Sequence, residues 1–126
     1  MAAAQIVSAV MDEWKAGIDS RDPGRVAAVF TDDAVFQGLR PYGVGRAAVV
    51  AYYASQPAGM TVDYRVLESR RLTDRSATGY LSATFGYPDR ADVVLAIGVT
   101  LVLQGGHWLI SQYQASPSAP PRMATD

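Results

Sequence analysis

The side chains able to carry acid–base chemistry in this chain are few: Glu68, the lone histidine His107, the phenol of Tyr53 and scattered aspartates. Groups of these types, positioned beside a carbonyl compound, move protons to and from it. No cysteine is present, so disulfides, thiol catalysis and thiolate metal sites are excluded. One histidine does not make a histidine metal site within a single chain, and no metal or cofactor is expected. Asp32 and Asp33 form an adjacent pair, but at a helix-to-strand turn such residues cap and solvate. Asp63 and Glu68 lie on opposite faces of one expected strand and cannot both look inward. Glu68 shares the parity of Tyr64 and Val66, which makes it the inward candidate. His107 starts a strand beside the Gly105-Gly106 turn, out of parity with Trp108, which places it at a rim or in solvent. Arg40 could bind an anionic group at a pocket mouth, or be an ordinary solvated loop arginine.

The amides of Gln112 and Gln114 alternate with Trp108 and Ile110. If the indole faces a concavity, both amides face it too, and buried amides need partners from the protein or from a ligand. The alternative is an amide pair satisfied at a sheet edge or in a dimer contact. Trp14, Phe36, Tyr53, Phe85 and Trp108 are the aromatic side chains for the walls of such a pocket, or else plain core.

Positioning these residues requires the elements around them. Ile6, Val7, Val10, Met11, Trp14 and Ile18 recur at helical spacing and predict a helix over about 4–18. Asp22 before Pro23 starts a second helix, with a side chain that accepts orphan amides and a preset φ. Val26, Val29 and Phe30 continue it to Thr31-Asp32-Asp33. A strand over 34–38, a loop punctuated by Gly38, Pro41, Gly43 and Gly45, and a third helix over 46–55 follow. After the break Gln56-Pro57-Ala58-Gly59 the period changes to two, giving strands over 60–72, 77–87, 92–104 and 107–115. Helices leading and antiparallel strands following imply an α+β domain over 1–115, a strongly curved sheet wrapped around three helices. A tail over 116–126 lacks periodicity. The 92–104 strand is apolar on both faces, so its outer face is an expected homodimer interface.

The net charge of −1 leaves no electrostatic footprint for nucleic acid or an anionic membrane. No apolar run approaches the ~20 residues of a membrane-spanning helix, and the opening lacks a basic n-region, so a cytoplasmic protein is expected.

With this layout the chain resembles the nuclear transport factor two-like superfamily, the cone-shaped fold of ketosteroid isomerases, scytalone dehydratase and SnoaL-like polyketide cyclases. The likeness rests on Trp14 with the 19–23 connection, VAAVFTDDAVF (26–36), GRAAV (45–49) with Tyr53, and GGHWLISQYQAS (105–116). A ketosteroid isomerase resemblance would put the catalytic base at Gly38, one oxyanion donor at Trp14, the other near Val99, and a supporting tyrosine at Tyr53. Three of those four positions lack the needed group, so standard isomerase activity is not expected. The SnoaL-like resemblance implies a pocket for a hydrophobic or aromatic, polyketide- or steroid-like molecule in natural-product biosynthesis. It carries either isomerase, cyclase or dehydratase-type proton transfer or non-catalytic binding or accessory dimerisation.

Overall fold

The structure, a computed structural model, describes residues 1–118. Helix α1 spans Ala3–Asp19 and buries Ile6, Val7, Val10, Met11, Trp14 and Ile18 along one stripe, the face that the helical spacing of apolar residues selects. Helix α2, Pro23–Ala27, starts as expected: Asp22 Oδ1 accepts from the Arg25 N–H at 3.0 Å, and proline occupies the first turn. It stops earlier than the spacing of Val29 and Phe30 suggests, and β1 runs Phe30–Gln37. The Ile110 N–H donates to the Val29 carbonyl at 2.8 Å and Phe30 pairs with Ile110, so sheet pairing overrides a weak helical preference. A two-residue strand β2, Gly43–Val44, lies in the loop before α3, Arg46–Ala54.

Four long strands complete the sheet: β3 Thr61–Thr73, β4 Ser76–Tyr87, β5 Arg90–Gln104 and β6 His107–Pro117. The fold is α+β, with the six strands ordered β2-β1-β6-β5-β4-β3. The sheet is not wholly antiparallel, because β6 returns beside β1 and pairs with it in parallel. Strand β6 also extends past the expected domain end to Pro117, while residues 119–126 of the expected tail lie outside the described residues. No helix among the described residues is long and apolar enough to cross a membrane.

Two bulges decide which side chains reach the core. Between β3 and β4 the register slips from Val66↔Leu81 to Glu68↔Tyr80, leaving Leu67 unpaired. Between β5 and β6 it slips from Leu101↔Ile110 to Thr100↔Gln112, leaving Ser111 unpaired, with its hydroxyl donating to the Thr100 carbonyl at 3.3 Å. One extra residue exchanges the two faces of everything beyond it.

Candidate functional site

The interior of the cone is occupied by the protein's own aromatic side chains. Trp14, wholly buried on α1, meets Phe85 at 6.0 Å and Tyr113 at 6.1 Å between ring centroids. Phe36 stacks on Tyr113 at 4.7 Å and meets Tyr53 edge-on at 5.6 Å. The Trp14 indole N–H donates to the Tyr53 hydroxyl at 3.0 Å. Burial pushes the Tyr53 and Tyr113 phenols well above their usual range, and the neighbouring Tyr113 hydroxyl and the Trp14 N–H offset part of the rise at Tyr53. Beside Tyr53 a crevice of about 20 Å³ remains against Gly17, Ile18, Val26 and Met60, room for about one water.

A larger recess opens at the mouth, where the end of α3 faces β4 and β5. It holds about 140 Å³ and is lined by Leu39, Arg40, Tyr52, Gln56, Met60, Phe85, Tyr87, Val93 and Leu95. Its wall is set by a close approach: a Cβ on Gly38 would lie 2.3 Å from the Tyr52 ring, so only glycine leaves that ring its place. The last turn of α3 then gathers donors on the Tyr52 carbonyl, from Ser55 Oγ at 2.7 Å and Gln56 Nε2 at 3.2 Å. Arg40 Nη1 in turn donates to Ser55 Oγ at 3.0 Å. On the far wall burial raises the Tyr87 phenol, with Tyr52 adding to the rise and Arg90 opposing it. The Arg90 guanidinium lies 5.4 Å from the Tyr87 ring centroid.

A SnoaL-like domain model matches residues 7–120. The chain belongs to the SnoaL-like domain family. Its fold is similar to that of a ketosteroid isomerase-like protein from Erwinia carotovora, with TM-score 0.78 and 20% identity over 92% of this chain and 96% of that one. A Nostoc punctiforme domain of unknown function with a cystatin-like fold gives TM-score 0.82 at 12% identity, covering 94% and 78% of the two chains. A nuclear transport factor two-like protein of unknown function from Shewanella oneidensis gives 0.80 at 8% identity, covering 90% and 98%. At these identities the likeness is one of fold. No curated protein matches the chain.

In this SnoaL-like chain the positions expected from the isomerase resemblance are closed. Gly38 is covered by the Tyr52 ring, Val99 is buried among apolar side chains, and Trp14 and Tyr53 spend their polar atoms on each other. Of the expected pocket residues, the recess brings together Arg40 and Phe85. Trp14, Phe36 and Tyr53 belong to the packed core.

Gln112 and Gln114 are exposed, contrary to the alternation with Trp108. The Ser111 bulge hands the inward positions to Tyr113 and Ala115. Glu68, beyond the Leu67 bulge, is likewise exposed opposite Tyr80 instead of facing in with Tyr64 and Val66. Trp108 is half-buried at a separate open groove that also holds the exposed His107, and the Arg71 guanidinium lies 5.7 Å from its ring centroid. Sequence reasoning missed Leu39, Tyr52, Gln56, Met60, Tyr87, Val93 and Leu95. Gln56 lies in the break at 56–59, and Met60 and Tyr87 flank the breaks at 56–59 and 88–91, a signal that these three sit at element ends.

Proposed function

We propose that this SnoaL-like chain is a small-molecule-binding protein whose ligand inserts a hydrophobic or aromatic group into the mouth recess. The supporting observation is the recess of about 140 Å³, walled by Phe85, Val93, Leu95 and Met60, beside a core that is otherwise filled. An apolar cavity of roughly 150 Å³ holds one benzene, so a polyketide- or steroid-like ligand would insert one ring and lay the rest across the mouth. Binding without turnover is the reading the geometry favours. The ionisable groups lining the recess are Arg40, Tyr52 and Tyr87, and a phenol raised by burial is a poor base near neutral pH. A proton-transfer enzyme would need Glu68 or His107, and neither lines the recess. A second copy of the chain covering the outer sheet face, where Tyr80 and Val94 are exposed, completes the proposal.

The test is a thermal-shift screen with single-ring aromatics and planar aromatic ketones, run on the wild type and on Val93→Trp, which fills the recess. Ligands that stabilise the wild type and leave Val93→Trp unmoved support the site. Equal stabilisation of both proteins overturns it.

A further inference from the structure

The recess is apolar on its floor and carries one formal charge on its lining, the Arg40 guanidinium. Arg40 takes part in no ion pair among the described residues, whereas Arg25, Arg46 and Arg90 each face a carboxylate. Its hydrogen bond to Ser55 Oγ engages one of five guanidinium donors and leaves the rest of the fork available. The mount is also fixed from behind. The preceding Leu39 N–H donates to the Tyr52 hydroxyl at 3.4 Å, and the Ser55 hydroxyl that receives Arg40 is itself tied to the Tyr52 carbonyl. A guanidinium held at one point, on a loop whose preceding backbone N–H is itself anchored, loses less conformational freedom on binding than a free loop arginine.

Planar forked donors match carboxylates in two parallel hydrogen bonds, a geometry that neutral carbonyls and alcohols cannot reproduce. Apolar surface lining the same recess as such a fork calls for a ligand with an apolar body and an acidic end. We propose that the mouth recess takes a small monocyclic carboxylate, its ring against Phe85, Val93 and Leu95 and its carboxylate on Arg40. This assignment rests on the binding function proposed above and narrows it from aromatic molecules in general to aromatic acids of one-ring width.

The experiment is calorimetric or ligand-observed NMR titration of the full chain with phenylacetate, its primary amide and its methyl ester. The proteins are wild type, Arg40→Gln, Arg40→Lys and Val93→Trp. The expected result is ~10-fold tighter binding of the acid than of amide or ester to wild type. Arg40→Gln should abolish that preference, and Arg40→Lys should recover part of it, because a point charge lacks the fork. Arg40 is exposed, so an unchanged melting temperature for Arg40→Gln separates lost recognition from lost fold. Equal affinities for acid, amide and ester, all lost in Val93→Trp, overturn the carboxylate assignment and leave the binding site standing. Acid binding that survives Val93→Trp, or no binding of any of the three, overturns both.

Discussion

The Trp14 indole N–H and the Tyr53 hydroxyl meet at 3.0 Å across 39 positions of sequence, joining α1 to α3 inside the core. A buried donor without its acceptor loses the full desolvation free energy of that group, about 1–3 kcal/mol. Tyr53→Phe should therefore destabilise the fold by that order while keeping the ring, and Trp14→Phe should add the loss of packing volume. In a double-mutant cycle read by urea unfolding, the two changes should couple by ~1 kcal/mol. Strict additivity would show that the contact contributes packing alone.

Alkaline pH should weaken the fold for a defined reason. Burial raises the phenols of Tyr53 and Tyr113, and burial together with the neighbouring Asp12 raises Tyr64, all from the ordinary phenol value of 10.0. The folded state holds these protons where the unfolded chain releases them. The associated stability is therefore fully present below about pH 10 and is lost as pH climbs toward the folded-state values. Urea midpoints measured from pH 8 upward should be flat and then fall. Tyr113→Phe should fall less steeply over the same interval, and an equal slope for wild type and variant would count against the buried phenols as the cause.

Gly38 and Tyr52 make a second pair that can be tested by relief. A methyl at position 38 would occupy the Tyr52 ring, 2.3 Å from its nearest atoms, and overpacking of this kind typically costs about 1–3 kcal/mol. Gly38→Ala should lower the melting temperature, and adding Tyr52→Ala should remove most of the further penalty of the Cβ. If Gly38→Ala is equally damaging in both backgrounds, the conflict lies elsewhere in the backbone.

How far the chain's plan can be read from sequence depends on whether periodicity survives unbroken. The α1 stripe and the Asp22-Pro23 start are local, and both stand as the spacing demands. Phe30 is a case of the opposite kind, since its place at the start of β1 depends on Ile110, which lies far along the chain. Alternation likewise holds along β6 only up to Ile110. Beyond it Ser111 is one residue too many for the partner strand, and Gln112 turns out to solvent where parity would send it in. Glu68 is displaced by the same device at Leu67. A bulge is a property of the pairing between two strands, so no count along one of them reveals it. The recess was hidden for a related reason: Tyr52, Tyr87 and Leu95 sit on three elements whose ends meet only in the folded chain. Arg40 and Phe85 were legible because a loop arginine near the first strand and an inward aromatic on β4 need no register beyond their own.

Val94 is the place to test whether a second copy covers the sheet. It is 44% exposed on β5, paired with Thr84 of β4 on the face that also carries Tyr80 at 47%, while its neighbours Val93 and Leu95 line the recess on the opposite face. Val94→Lys thus charges the outer face and leaves the recess and core untouched. A dimer joined through that face would bury the lysine's charge without a partner, a penalty large enough to separate the subunits. Sedimentation should show wild type at twice the monomer mass and Val94→Lys at the monomer mass, with the same far-ultraviolet circular dichroism and the same phenylacetate affinity. A variant that stays dimeric would move the interface off this face, and a wild type that is monomeric would leave the exposed valine and tyrosine without a covering subunit.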